Sequence, residues 1–204
     1  MRNGLILITG CLGLMASSAA WAETKPKTKN NQDRVNQIWE MADSRASQIM
    51  DIWFKDGEFP KCIQILKFRA EIFPDNYEIY TDLGWMQENT EHYDEALATY
   101  VRFKKQNAQN PDAPYPEAQF YFIKKLYAKV PPLLEPTLDA KPHPDSFRIL
   151  AHSYERMGLL EDSKRIWTKY LSINPNDDAA KNNLTRVEKK MRGEKIPPKR
   201  KSKP

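Results

Sequence analysis

The stretch GEFPKCIQILKFRAEIFPDN, Gly57–Asn76, returns twice further along the chain. Thirty-four residues on, Phe59, Cys62, Ile63 and Leu66 are answered by Tyr93, Ala96, Leu97 and Tyr100. A further sixty-seven on, Gly57, Cys62, Leu66, Ile72 and Pro74 are answered by Gly158, Ser163, Trp167, Ile173 and Pro175. Each copy has a small residue (Cys62, Ala96, Ser163) and a bulky one four later; the first and last also close on a proline. That pattern describes one helix pressed against another. A fixed period near thirty-four implies stacked helical pairs rather than a globule.

Outward from that stretch, the apolar positions keep a three–four spacing, the mark of amphipathic helices. Val35, Ile38, Trp39, Ala42, Ala46, Ile49, Met50 and Trp53 form a stripe over about residues 33–55, ending at Asp56-Gly57. Its first half is expected to cap the stack, and Trp39 and Trp53 to lie in the core. The second helix runs over 59–73 with Phe59, Ile63, Leu66 and Ala70 inward, and Pro74 ends it because proline cannot donate the next hydrogen bond. Asp75-Asn76 offers side-chain oxygens to the next helix. The second pair is expected over 77–89 and 93–109. Gly84 costs roughly 1 kcal/mol of helix propensity against alanine, which a close helix approach would explain, with Ala96 the small residue opposite.

The third unit is irregular. Ala118, Tyr121, Phe122 and Leu126 predict a helix over 117–129, followed by Pro131, Pro132, Pro136, Pro142 and Pro144. That proline density leaves room for a turn or two around 133–138. The last pair is expected over 145–157 and 160–173, with Ile149, Leu150 and Tyr154 inward and Gly158 at the turn. A final helix over 178–191 has one apolar stripe, Ala180, Leu184, Val187 and Met191, which suits a terminal solvating cap.

The ends read differently. Arg2, the apolar run Leu5–Ala16 and Ala20-Trp21-Ala22 make a secretory signal with cleavage expected after Ala22, leaving 182 residues. Lipidation at Cys11 and an uncleaved anchor are the rival readings. A bacterial periplasmic location follows from the first. Residues 23–32 are a polar leader, 33–192 the repeat domain and 193–204 a basic tail. Lys189–Pro204 nets +7, so the body is nearly balanced and no nucleic-acid surface is indicated on the fold. Without the signal, Cys62 is the one remaining cysteine, excluding an internal disulfide; at a small-residue position it packs as a small hydrophobe.

At these residues the chain resembles the tetratricopeptide-repeat family: Leu83-Gly84, Ala96 and Tyr100 in the middle repeat, Cys62, Leu66 and Pro74 in the first, Tyr154, Gly158, Trp167 and Pro175 in the last. The resemblance covers about residues 43–177, in repeats 43–76, 77–110, a degenerate 111–143 and 144–177. It implies an all-α fold, a short right-handed solenoid of helix–turn–helix repeats with capping helices at both ends. It also implies a concave groove lined by the first helix of each pair. By repeat phase the lining would be Ser47, Asp51 and Phe54, then Thr81, Trp85, Glu88 and Asn89. Tyr115, Gln119, Phe122 and Ile123 would follow, then Arg148, His152 and Arg156. Some members hold an acidic C-terminus with a lysine/asparagine clamp. Asp51, Trp85, Gln119 and His152 stand where the clamp asparagines would fall, which argues against that ligand.

Two functional readings follow. Arg148, His152 and Arg156, spaced i, i+4, i+8, share a helical face beside Tyr115 and Phe122 and would grip an anionic group on a partner peptide. The plainer reading is a solvated face whose arginines pair with Glu155 or Asp145. The chain is then an adaptor or assembly factor of an envelope. The alternative is a peripheral protein whose basic tail docks on an anionic membrane or cell-wall polymer. Catalysis has little support. His92, His143 and His152 are scattered with no second ligand at metal spacing, and there is no phosphate loop or nucleophile elbow. No cofactor or metal is expected. The sequence leaves the oligomeric state open.

Overall fold

A computed structural model describes residues 30–194. The expected signal and cleavage site, Cys11, almost all of the expected leader and the tail beyond Glu194 lie outside the described residues. Two units are distinguished, Met1–Met41 and Ala42–Pro204. Among the described residues every regular element is helical: α1 (Asn31–Lys55), α2 (Phe59–Ile72), α3 (Tyr77–Asn89), α4 (Tyr93–Gln106), α5 (Tyr115–Ile123), α6 (Pro131–Leu134), α7 (Pro144–Arg156), α8 (Leu160–Ile173) and α9 (Asp178–Met191). Tyr127–Lys129 forms a single 3-10 turn, and Glu135–Ala140 continues α6 as 3-10 helix.

The small residues sit at helix crossings. Cys62, Ala96 and Ser163 are wholly buried, as are Leu66 and Trp167 one turn later. Cys62 and Ser163 each face a point twelve residues back on the partner helix. The Cys62 thiol lies 3.7 Å from the Met50 carbonyl, and the Ser163 hydroxyl donates to the Ala151 carbonyl at 2.8 Å. The residue twelve before Ala96 is Gly84. There the ring of Tyr100 occupies the space a Cβ at position 84 would need, so the glycine is a packing requirement and Tyr100 is its direct neighbour. Burial pushes the Cys62 thiol upward, which keeps it protonated and inert.

A left-handed residue closes the first helix of every pair. Positive φ occurs at Gly57, Glu91, Lys125, Gly158 and Gly193, spaced by 34, 34, 33 and 35 residues, and once outside that period, at Lys141 after the short helices. The residue after each of the periodic five returns a hydrogen bond five back: Glu58 to Trp53, His92 to Gln87, Leu126 to Tyr121, Leu159 to Tyr154 and Glu194 to Lys189, all 2.8–3.0 Å. These are glycine-type helix stops, two of them built without glycine. The period therefore runs intact through the third unit. It also moves a boundary: α5 ends at Ile123, not near residue 129, because Lys125 makes the turn, and Leu126 is exposed. In the same unit Pro131, Pro132 and Pro136 occupy first turns, where no amide is needed. They start short helices instead of only breaking one. Val130, Leu134 and Leu138, four apart and buried, fill the place of a second helix with Phe147, Leu150 and Tyr154 of α7.

Side-chain caps stand where expected. Asn76 accepts from the Ile79 amide at 3.1 Å and Asp177 from the Ala180 amide at 2.9 Å. Three expectations are corrected. Val35, Ile38, Trp39 and Met41 are exposed, so Trp39 is not core. Phe59 is exposed and leans edge-on against Phe54, with ring centroids 5.7 Å apart, because it opens α2 before the helix meets α3. Helix α4 stops at Gln106, three residues early, where Asn107 turns back to cap the Phe103 carbonyl.

Glu91→Gly and Lys125→Gly should each raise stability by about 0.5–1 kcal/mol. Relief of a left-handed side chain gives about 1–2 kcal/mol, and the freer unfolded glycine takes back about 0.5–1. Urea midpoints check this, with Gln64→Gly inside α2 as the control that should fall. A lowered midpoint at 91 or 125 would contradict the shared turn. Leu66→Ala and Trp167→Ala should each lose about 2–5 kcal/mol, as buried large-to-small changes do.

Candidate peptide-binding cleft

Thr81, Trp85 and Asn89 lie four apart on α3, and Gln119 and Ile123 four apart on α5, so each set presents one helical face. Between the two faces is a cleft of about 500 Å³, lined by these residues with Asp82, Glu88, Tyr93, Tyr100, Pro116 and Lys124. Gly84 makes the floor possible, because it lets the Tyr100 ring slide beneath α3. From there the Tyr100 hydroxyl donates to Glu88 Oε1 at 2.8 Å. At one rim the Lys124 ammonium sits 3.2 Å from the Tyr93 ring centroid, a cation–π contact. At the other, Trp85 stands 51% exposed, with Phe54 of α1 6.3 Å away between centroids. Partial enclosure pushes the Asp82 carboxyl above the ordinary aspartate range, opposed by Arg69 and reinforced by Glu78. The cleft thus combines bare aromatic area with carboxylates.

The fourth-repeat face is different. Arg148 donates to Asp145 Oδ1 (2.7 Å), to Asp177 Oδ2 (2.8 Å) and to the Tyr170 hydroxyl (3.3 Å). Hydrogen bonds to Asp177 and Asp145 hold its guanidinium protonated, and those from Arg148, Ala180 and Tyr170 hold the Asp177 carboxyl well below its usual range. His152 packs edge-on to the Trp167 ring at 5.1 Å, with Nδ1 3.4 Å from Glu155 Oε2. Arg156 is exposed and makes no ion pair among the described residues. Among the described residues, no group of three His, Cys, Asp or Glu could hold a metal ion, and no helix is long and apolar enough to cross a membrane.

No protein-family model and no curated protein matches the chain. Solved structures do. A crystal structure of MamA superposes with a TM-score of 0.58 at 18% identity, covering 74% of this chain and 82% of that one. A second MamA crystal structure gives 0.57 at 19%, covering 71% and 85%. A tetratricopeptide repeat protein from Parabacteroides merdae gives 0.60 at 19%, covering 74% and 60%. The chain has the tetratricopeptide-repeat fold. Identities this low carry the fold and nothing beyond it.

Within the tetratricopeptide-repeat frame, the expected groove residues divide. Thr81, Trp85, Glu88, Asn89, Gln119 and Ile123 come together in one cleft, with Phe54 beside Trp85. Tyr115 and Phe122 do not join it as anchors. Tyr115 is half-buried against the core, its hydroxyl pushed up to about 12 by burial and by Asp145. Phe122 turns to Tyr127, 5.4 Å between centroids, and packs on the same core. The residues expected to grip an anion do not join the cleft: Arg148 is tied into α9, His152 packs on Trp167, and Arg156 stands exposed. Sequence reasoning missed Asp82, Tyr93, Tyr100, Pro116 and Lys124. Tyr93 and Tyr100 were visible only as repeat matches, and the glycine opposite Tyr100 was the signal that its ring reaches the groove.

The pairing of α7 with α9 centres on Glu155, whose side chain is only 7% exposed. Burial would raise its carboxyl, but hydrogen bonds from His152, Arg186 and Lys190 override that and hold it far below the usual range. The folded state therefore binds fewer protons than the unfolded chain near pH 3. Its contribution is complete above the ordinary glutamate value of about 4.3 and is lost as pH falls below it. Glu155→Gln should lower stability by about 1.5–3 kcal/mol at pH 7, the range for hydrogen bonds to charged groups. The variant's deficit should shrink towards pH 2.5. Urea melts at both pH values check this, and a deficit that grows on acidification would contradict the sign.

Proposed function

We propose that the chain is a non-catalytic protein-interaction scaffold that holds an extended segment of a partner protein in the α3–α5 cleft. The observation that carries the reading is Trp85. A tryptophan half in solvent, at the mouth of a cleft of about 500 Å³, is unused contact area of the kind that anchors a partner. Phe54 extends that surface to one side. Asp82, Asn89 and Gln119 supply the polar groups that would fix the register of a bound backbone. The tetratricopeptide-repeat fold supports the reading, since repeat stacks present such concave surfaces generally.

The signal-like residues 1–22 support export, with the scaffold acting in envelope assembly. Mass measurement of the protein recovered from its own cells tests that part: a chain beginning at Glu23 is expected, and one retaining Met1 in the cytoplasm contradicts export.

Trp85→Ala should weaken partner capture roughly thirtyfold, a loss of about 2 kcal/mol for a central anchor. Because Trp85 is half exposed, the thermal melt should hold to within about 0.5 kcal/mol. Arg148→Glu should do the reverse, lowering the melt through the lost Asp177 pairing. Cross-linking and mass spectrometry in native cells, followed by pull-down of the partner found, checks both. Capture undiminished by Trp85→Ala would contradict the cleft as the binding site.

A further inference from the structure

We propose that the α3–α5 cleft selects a basic partner segment, one that carries two cationic side chains at alternate positions and stacks an arginine on Trp85. The inference rests on the peptide-groove reading above and names the chemistry of the groove's occupant.

Helix α3, YEIYTDLGWMQEN, holds three carboxylates and no lysine or arginine. Glu78, Asp82, Trp85 and Glu88 follow one another at steps of three or four residues, so they share one face. Among the described residues none of these three carboxylates is in an ion pair, whereas Glu71, Glu95, Glu117 and Glu135 each meet a cation on another helix. The arrangement works against the helix itself. Only Glu78 stands in the first turn, where the dipole favours an acid; Glu88 stands in the last, where it favours a cation. Glu78 and Asp82, four apart, repel each other. That repulsion adds to enclosure in raising the Asp82 carboxyl. Glu88 gives Oε1 to the Tyr100 hydroxyl and keeps its other oxygen for the cleft. A cation from outside offsets each of these penalties.

The cleft also shows how it holds a cation. The Lys124 ammonium sits 3.2 Å from the Tyr93 ring centroid, at the rim opposite Trp85. Trp85, half in solvent, offers a larger ring between Asp82 and Glu88. Arginine fits that place, because its planar guanidinium stacks on an aromatic face while its N–H fork donates to a carboxylate. Asp82 and Glu88 lie about 9 Å apart along α3. In an extended segment alternate side chains point the same way about 7 Å apart. Two long cationic side chains at that spacing reach both carboxylates. Gln119, across the cleft on α5, is left for the segment's backbone.

A random dodecapeptide phage library panned on the native full chain supplies the probes. Fluorescence anisotropy of the enriched peptides, made with a fluorescein label, measures their binding. Peptides with arginine or lysine at alternate positions should dominate. Their affinity should fall at least tenfold with Asp82→Asn and Glu88→Gln together, and should weaken as salt rises. Glutamine keeps an oxygen for the Tyr100 hydroxyl. Should the double variant nonetheless melt early, Asp82→Asn alone must still weaken binding severalfold, since Asp82 makes no side-chain hydrogen bond among the described residues. Neutral or acidic peptides in the enriched set overturn the proposal, as does binding that the carboxylate variants leave intact. If those peptides are lost with Trp85→Ala, the cleft stands as the binding site and its preference for cations alone falls. Binding indifferent to both Trp85 and the two carboxylates, or no enrichment at all, contradicts the cleft reading as well.

Discussion

The structure depends on how closely α3 and α4 approach. The ring of Tyr100 lies where a side chain on residue 84 would be, and Ala96 lies one turn before it, wholly buried. The same crossing recurs with Cys62 under Met50 and Ser163 under Ala151. A helix without neighbours gains nothing from a glycine or a serine in its interior. Here those residues set the distance between helices, and the distance sets everything stacked on them. The cleft follows directly, because the ring that fills the crossing is also the cleft's floor.

A second set of interactions ties the first repeat to the second, the third to the fourth, and the fourth to α9. Glu71 pairs with Arg102, Asp139 with Lys169, Arg148 with Asp177 and Glu155 with Arg186, all about one repeat apart in sequence. The exposed members contribute little individually. Glu155 differs because it is enclosed and multiply bonded, and Arg148 because three hydrogen bonds hold it although it is half exposed. The two basic side chains expected to meet a ligand at the fourth repeat are therefore unequal. Arg148 is a strut between α7 and α9, and Arg156 is a surface charge. Carboxylates and bare aromatic rings meet instead between the second and third repeats.

Much of this was legible before any coordinates. Helices α3, α8 and α9 fall on their expected bounds, with Asn76 and Asp177 capping the starts of α3 and α9 and Pro175 just past the end of α8. The turns at Glu91 and Lys125 were harder to see, since neither residue has glycine's ease with positive φ and only the repeat spacing betrays them. Arg148 misled because its decisive partner, Asp177, lies twenty-nine residues away, beyond the reach of i, i+4 reasoning. Tyr115 and Phe122 misled because three short helical turns, not a full helix, close over them. Trp85 was legible because repeat phase alone points it into the groove.

The central claim is that space at residue 84 is what lets the stack close. Urea unfolding of Gly84→Ala, alone and in a Tyr100→Ala background, tests it most directly. Alanine favours a helix by about 1 kcal/mol, but overpacking against Tyr100 should cost about 1–3 kcal/mol. Gly84→Ala should therefore destabilise the native chain and stabilise the chain lacking the ring. Stabilisation by Gly84→Ala in both backgrounds would contradict the account.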